Sequence, residues 1–167
     1  MPLNRKSPRT GACGLASRLA LVALFLLLTA AQAASEGDRV AQASSEGDRL
    51  IGIWVTPEQD RIEIFRKDGR YHGRPFVRPG QPQRLDVNNA DQSLRRRSLA
   101  EVMILEDFTY DGNRWSGGTI YDPKNGKTYR CVIGLEGERE LQIRGYVGIP
   151  LFGRTEVWRR AADNVSP

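Results

Sequence analysis

Residues able to carry nucleophilic chemistry are few in this chain. His72 is the one histidine among 167 residues, so a serine or cysteine activated by a histidine base depends on that residue alone. Ser116 lies in Trp-Ser-Gly-Gly, which differs from the G-x-S-x-G turn that presents a nucleophilic serine. We therefore predict no catalytic residue and interpret His72 as a half-exposed strand residue.

Carboxylates offer a second route to chemistry, through paired acid and base groups. Glu106 and Asp107 are neighbours, but adjacent strand residues point to opposite faces, and we expect this pair in a solvated loop. A hydrolase or isomerase would require at least two of the following side chains in one cleft: His72, Asp86, Asp91, Asp122 and Glu140. This is the least favoured of our three functional hypotheses.

The sequence also contains few side chains that could bind a metal or act as a reactive thiol. One histidine and one cysteine in the mature chain cannot complete a usual structural zinc site. Asp86, Asn88 and Asp91 are spaced as in a calcium loop but lack its glycine and bidentate glutamate, so we interpret them as turn residues. Cys131 lies on the apolar face of its predicted strand, which indicates a buried, inert thiol. We predict no metal and no cofactor.

Arginine is the residue type whose spacing suggests binding. Residues 66–97 hold nine basic residues against three acidic ones, a net +6, whereas the rest of the mature chain is net negative. Guanidinium groups suit phosphate and carboxylate, so we expect an anionic ligand or envelope surface to meet this segment. The predicted contacts are Arg84, Arg95, Arg96 and Arg97. The alternative is a solvated loop neutralised within the fold.

The elements that must position these residues begin after a leader. Basic residues, a ten-residue apolar run from Leu19 to Leu28 and small residues ending at Ala33 have the layout of a secretory signal. A bilayer span takes roughly 20 apolar residues, so we expect cleavage rather than a permanent anchor. Residues 34–167 are then only +1. We predict an exported protein, periplasmic or secreted, that binds no nucleic acid.

A tandem repeat follows the leader. Residues 31–40 and 41–50 differ at only two positions, so the cleavage motif is copied and cleavage after Ala33 or after Ala43 both stay open. The small and charged residues between these sites are too polar to bury. We predict a signal peptide over 1–33, a flexible spacer over 34–49, a β-barrel domain over 50–161 and a C-terminal tail over 162–167.

Period-2 alternation runs from Leu50 to Arg160 without a convincing helical period. The predicted strands are 50–55, 61–66, 70–77, 98–105, 114–121, 127–135, 139–146 and 154–160. Turn residues such as Asp68-Gly69 join most of them, while 78–97 forms the longest loop. The pattern predicts an all-β fold, an eight-stranded antiparallel up-and-down barrel, with a β-sandwich as the alternative.

Two short motifs lie on the first and last predicted strands. Gly52-Ile53-Trp54 on the first strand and Trp158-Arg159-Arg160 on the last resemble the G-x-W and closing arginine of lipocalins and other calycins. The resemblance implies a cation held over the indole of Trp54 at a closed end. We assign Arg159 to this role, with Arg160 as the alternative.

A longer resemblance covers most of the mature chain. Its motifs are W-S-G-G-T-I-Y-D-P-K-N-G-K-T-Y at 115–129 and R-G-Y-V-G-I-P-L-F-G-R at 144–154. They are similar to those of a family of small exported bacterial proteins of uncharacterised function, which usually has Asn-Pro where this chain has Asn89-Ala90. The resemblance implies an exported, calycin-like domain and adds no catalytic residue.

Alternation places six side chains inside the barrel: Trp54, Tyr129, Cys131, Ile133, Leu141 and Ile143. We therefore predict a non-enzymatic protein that binds a small hydrophobic or amphipathic ligand there, with the arginines meeting an anionic head group. The alternative is a filled barrel that binds an envelope protein or polysaccharide through its surface. We interpret the apolar loop 148–153 as a plug over one end rather than a flap, because exposed apolar patches are unfavourable.

Overall fold

The computed structural model describes residues 45–162, and the predicted signal peptide, residues 34–44 of the predicted spacer and residues 163–167 lie outside this range. The strands are β1 (Gly52–Val55), β2 (Arg61–Lys67), β3 (Arg70–Pro75), β4 (Leu105–Tyr110), β5 (Trp115–Ser116), β6 (Thr119–Asp122), β7 (Lys127–Glu136), β8 (Glu140–Tyr146) and β9 (Arg154–Arg160). Short 3-10 turns span Asp48–Leu50, Gln92–Leu94, Leu99–Glu101 and Pro150–Phe152. Across residues 45–162, no helix is long and apolar enough to cross a membrane.

The sheet closes on itself. Successive strands pair antiparallel, β3 pairs with β4 across the long loop, and β9 returns to pair with β1. β5 and β6 both lie between β4 and β7, so they form one interrupted strand. Eight strands therefore complete the barrel, which confirms the predicted fold and excludes the sandwich.

Two glycines interrupt the strand formed by β5 and β6. Gly117 has a φ of +80°, and a Cβ on Gly118 would lie 2.4 Å from the carbonyl oxygen of Glu106 and 2.5 Å from the Phe108 ring. Only glycine allows so close an approach of backbone to a buried aromatic ring. The glycine pair therefore lies at the break between β5 and β6.

The predicted strand at 98–105 is wrong. Ser98 instead precedes the 3-10 turn Leu99–Glu101, and its hydroxyl accepts a hydrogen bond from the amide of Ala100 at 3.3 Å. A serine that bonds the local backbone offers an alternative to the strand ladder, which explains the displacement. The strand begins only at Leu105.

The prediction of a loop at Glu106 and Asp107 is also wrong, because both residues lie in β4. Asp107 has a φ of 63°, and the β3–β4 register shifts beside it. This irregularity places the buried side chains of Leu105 and Phe108 three residues apart instead of two. The strand therefore lacks the alternation on which sequence reasoning depends.

The end of the barrel near Trp54 is packed solid. Trp54 Nε1 donates to the Leu50 carbonyl at 2.9 Å, and Trp115 Nε1 donates to the Gly47 carbonyl at 3.1 Å. The Tyr71 hydroxyl donates to Asp48 at 2.9 Å. Residues 45–49, predicted to belong to the flexible spacer, thus pack against this closed end, and the folded unit begins before residue 50.

Candidate functional site

The closed end carries a cation over an indole. The guanidinium carbon of Arg160 lies 4.2 Å from the centroid of the Trp54 ring, and β1–β9 pairing sets these two residues opposite each other. Arg159 has the opposite orientation and donates to Glu140 at 3.3 Å. The assignment of Arg159 as the closing residue is wrong, because strand alternation turns its side chain outward.

The glycine of the G-x-W motif makes room for this arginine. Gly52 has a φ of +142°, and a Cβ there would lie 2.6 Å from Nη1 of Arg160. Arg160 donates from Nη1 to the Ile51 carbonyl at 2.9 Å and from Nε to the Glu138 carbonyl at 2.8 Å. The guanidinium therefore ties both chain ends of the barrel to the turn between β7 and β8.

The opposite end of the barrel is open. A cavity of about 1130 Å³ enters there, between the loops 56–60, 76–104, 123–126 and 147–153. Its deeper lining is apolar and aromatic and includes Ile62, Ile104, Ile120, Tyr129, Ile143 and Trp158. Gly145 also lines the cavity, and a Cβ there would meet only Ile120 and Tyr129, at 3.5 and 3.8 Å. The missing side chain leaves part of the bore unfilled.

The six predicted ligand contacts divide between the two halves of the barrel. Tyr129 and Ile143 line the cavity. The other four, Trp54, Cys131, Ile133 and Leu141, have no exposed surface and belong to the packed core. Burial raises the pKa of the Cys131 thiol to about 12. The barrel is thus filled at one end and hollow at the other. The alternative hypothesis of a surface-binding protein assumed a wholly filled barrel, and the structure does not have one.

Ion pairs brace the mouth of the cavity. Arg84 donates to Asp60 at 2.6 Å, and Lys124 donates to Glu58. The hydrogen bond from Lys124 lowers the pKa of Glu58, and the same bond raises the pKa of Lys124. These four charges neutralise one another in pairs, so they contribute little net charge to a ligand.

Other cations at the mouth are unpaired. Among residues 45–162, the side chains of Arg78 and Arg154 form no hydrogen bond or ion pair, and both residues line the cavity. Nη1 of Arg61 is also buried without a hydrogen-bond partner in this range, but Arg61 pairs with Val55 as Arg159 does, so its side chain lies on the outer face of the barrel. On the acidic side, Glu156 accepts a hydrogen bond from Trp158 Nε1 at 3.2 Å. The cavity therefore presents Arg78 and Arg154 together with the carboxylates of Asp122 and Glu156, which form no ion pair in the described range.

Most of the arginines predicted to contact an anion form other interactions. Arg97 donates twice to Asp86, at 2.9 and 3.0 Å, and Arg95 donates to the Asn89 carbonyl at 2.8 Å. Arg96 is exposed, and none of these three arginines lines the cavity. Arg84 does line it, but in its pair with Asp60. The consecutive arginines serve the long loop itself, and the predicted grouping of four does not form.

A buried polar cluster, formed by Asp86, Asn89, Arg97 and Tyr121, fastens the long loop to β6. The Asp86 carboxylate accepts from the Tyr121 hydroxyl at 2.5 Å and from Asn89 Nδ2 at 2.8 Å, besides its pair with Arg97. Burial raises the pKa of Asp86, but these hydrogen bonds outweigh burial and lower it overall. Burial and the bond to Asp86 raise the pKa of Tyr121.

Sequence reasoning assigned Asp86 to a turn and did not detect the Asp86 cluster. Part of the signal was present in the family resemblance, since Tyr121 falls in the motif at 115–129 and Asn89 at the position compared with the family's Asn-Pro. Gly126 completes the attachment, because a Cβ there would lie 1.9 Å from the Asn88 carbonyl oxygen. The Asp-Pro-Lys-Asn-Gly turn therefore packs directly against the long loop.

The residues required for a carboxylate enzyme are not brought together. Of the five candidates, only Asp122 lines the cavity. His72 stacks on Phe65 with ring centroids 5.8 Å apart, and Glu140 pairs with Arg159 at the closed end. Within the described range, no group of three or more histidine, cysteine, aspartate or glutamate residues could hold a metal.

The apolar loop between β8 and β9 is not a plug. In this mouth loop, residues 147–153, the side chains of Val147, Leu151 and Phe152 are 74, 74 and 79% exposed. Val147 and Phe152 reach the rim of the cavity. The prediction of a buried plug is wrong because Arg144 holds the loop from outside, donating to the carbonyls of Pro150 and Leu151 at 2.6 and 3.0 Å.

Comparisons with known proteins agree with this architecture. A family model described as "Uncharacterized protein conserved in bacteria (DUF2147)" matches residues 52–160. Among solved structures, the chain is similar to protein HP1028 of Helicobacter pylori, described as belonging to the lipocalin family. The TM-score is 0.63 and the identity 27%, over 69% of this chain and 84% of that one. No curated protein gives a significant match. The barrel is lipocalin-like.

Proposed function

This chain belongs to the bacterial family described as uncharacterized and conserved in bacteria (DUF2147), and from that premise we propose that it is a non-enzymatic protein of the cell envelope that binds a small amphipathic anion. The observation that carries the proposal is the cavity of about 1130 Å³, largely apolar in its depth and lined at its mouth by Arg78 and Arg154, which form no ion pair within residues 45–162. A lipocalin-like barrel supports it, because eight strands enclose room for one small ligand.

The apolar depth suits a hydrocarbon chain. Ile120, Ile143 and Trp158 offer aliphatic and aromatic surface below the mouth, and such surface stabilises a bound chain by about 0.8 kcal/mol for each buried CH₂. The packed core around Trp54 sets the floor, so the chain enters from the open end only. A ligand with a single polar end would therefore bind with that end outward.

The mouth suits a carboxylate, sulfate or phosphate group. The side chains of Arg78 and Arg154 have no acidic partner in the described range. An anion would satisfy these donors by charge-assisted hydrogen bonds, which are stronger than neutral ones. The ion-paired Arg84 and Lys124 would frame the entrance. The secretory layout of residues 1–33 supports a place in the envelope.

The test is a titration of protein expressed from the full chain with a fluorescent long-chain fatty acid. Gly145→Leu adds a side chain to the bore and is expected to weaken binding about tenfold or more, which is 1.4 kcal/mol. Gly134→Leu is the matched control, because a Cβ there would meet only Gln142, at 3.9 Å, on the outer face. Absence of probe binding, or equal losses in the two variants, would overturn the proposal.

The anionic part of the proposal has a separate test. The methyl ester of the same probe keeps the chain and removes the charge, so the acid is expected to bind about tenfold more tightly. The double variant Arg78→Gln/Arg154→Gln should abolish this preference while Arg159→Gln, at the far end of β9, preserves it. If the wild type binds acid and ester equally, the cavity has no anion preference and that part of the proposal is wrong.

A further inference from the structure

Exposed apolar surface is concentrated in the mouth loop. In the described range, five large hydrophobic residues are more than half exposed, and four of them lie between Val147 and Phe152. The fifth is Val87, in the long loop. Scattered single apolar residues are ordinary on a soluble protein, but a contiguous group indicates a surface that another apolar phase covers.

The mouth loop is firmly shaped. Besides the two bonds from Arg144, the amide of Phe152 donates to the Ile149 carbonyl at 3.3 Å, and the amide of Gly153 donates to the Pro150 carbonyl at 3.0 Å. A Cβ on Gly153 would lie 2.6 Å from the Gly145 carbonyl oxygen, so the loop base packs tightly on β8. These contacts hold the apolar side chains outward. They also satisfy backbone groups that an apolar medium would leave unpaired.

Two arginines without ion-pair partners in the described range lie at the same cavity mouth as this apolar tip. Arg154 follows the loop directly, and Arg78 lies at the same cavity mouth beside the half-exposed Val77. Asp60 and Glu58 at that end are each held in an ion pair, while Asp122 and Glu156 lie inside the cavity rather than on the exposed loop. Apolar side chains bordered by arginines fit the interface of an anionic bilayer, where each basic residue near the surface contributes about 1 kcal/mol.

We propose that the mouth loop docks the open end of the barrel onto an anionic phospholipid bilayer, with Leu151 and Phe152 in the interfacial layer and Arg78 and Arg154 at the phosphates. A bilayer is favoured over a protein partner because the exposed apolar group is one seven-residue loop. A stable protein interface takes about 20–30 residues a side. The docking would place the cavity mouth against lipid, and only that consequence rests on the proposed function.

The loop can be made to report its own insertion. The three native tryptophans are at most 2% exposed, so Phe152→Trp in the full chain adds the one accessible indole. With vesicles of phosphatidylcholine and phosphatidylglycerol, its emission should shift to the blue, and brominated lipid should quench it. Glu138→Trp, in the exposed turn between β7 and β8, is the control and should show neither change. Because the signal is local, binding through residues 19–28 does not contribute.

Vesicle partition gives the second readout. Ile149→Ser/Leu151→Ser removes two apolar groups that do not line the cavity, and it is expected to lower partition about tenfold or more. Arg154→Gln should weaken binding to anionic vesicles, and Arg159→Gln should not. An unquenched Phe152→Trp indole, or partition of the serine variant within about twofold of wild type, would overturn the docking proposal. A blue shift that appears without vesicles as the protein concentration is raised would also overturn the proposal, since it indicates contact between protein chains.

The two proposals can fail separately. Ile149→Ser/Leu151→Ser should keep its affinity for the fluorescent fatty acid in solution, because neither residue lines the cavity. Vesicle docking without fatty-acid binding in the wild type would refute the proposed ligand and leave the docking surface intact. Fatty-acid binding without docking would refute the docking surface alone.

Discussion

The Asp86–Arg97 pair should be worth far more than an exposed ion pair of similar geometry. Asp86 is fully buried, whereas the Arg97 side chain is 32% exposed, and two guanidinium nitrogens reach the carboxylate at 2.9 and 3.0 Å. Breaking a buried pair costs about 3–5 kcal/mol. Because Arg97 can regain water, we expect Asp86→Ala to cost about 3 kcal/mol, which lowers Tm by about 12 °C in a domain of this size.

A double-mutant cycle isolates the pair from the rest of the cluster. Asp86→Ala, Arg97→Ala and the double variant are unfolded in urea, and the coupling free energy is expected to be about 1.5–3 kcal/mol. The matched control is the cycle of Asp60 and Arg84, a pair at 2.6 Å whose side chains are 46 and 63% exposed. Its coupling should be about 0.2–1 kcal/mol. Equal coupling energies in the two cycles would refute the argument that burial sets the strength.

The same carboxylate predicts a pH dependence. Because hydrogen bonds and Arg97 lower the pKa of Asp86 in the folded state, its contribution is complete above the ordinary aspartate pKa. The contribution is lost as the pH falls through the lowered folded value. The difference in unfolding free energy between wild type and Asp86→Asn should therefore shrink from pH 7 toward pH 3. A difference that grows on acidification would show that the pKa is raised instead.

Two further predictions concern the packed end. Trp54→Ala should lower the free energy of unfolding in urea by about 3–5 kcal/mol, since the indole is fully buried beneath Arg160, and a loss under about 1 kcal/mol would contradict that placement. In a Cys13→Ser background, Cys131 should resist a thiol reagent at pH 8 until denaturant is added, because burial raises its pKa to about 12. Rapid labelling of the native protein would contradict the buried thiol.

Local chemistry predicted most of the barrel. Alternation along 61–67, 127–136 and 140–146 identifies strands because each needs one buried face, and Asp68-Gly69 joins the first of these to β3 because glycine accepts the positive φ of the turn. Alternation did not predict β4 correctly, because the φ of 63° at Asp107 interrupts the alternation of buried and exposed residues there. An irregular strand leaves no periodic signal in sequence.

The candidate site was less accessible to sequence reasoning. Inward-facing residues such as Tyr129 and Ile133 follow the same alternation, yet one lines the cavity and the other lies in solid core. The difference depends on how far along the barrel axis each lies and on what fills the space opposite. That depth is set by the stagger of all eight strands, which no single segment encodes.

By itself, the sequence determined the all-β class, the positions of seven of the eight strands and the motifs of the first and last strands, because strand alternation and turn chemistry act over a few residues. Tertiary structure alone decided that Arg160 rather than Arg159 covers Trp54, since only the β1–β9 register distinguishes two adjacent arginines. It alone brought Tyr121 to Asp86 across 35 residues of chain. It also left the mouth loop exposed, because Arg144 fixes that loop by contacts between elements rather than by local propensity.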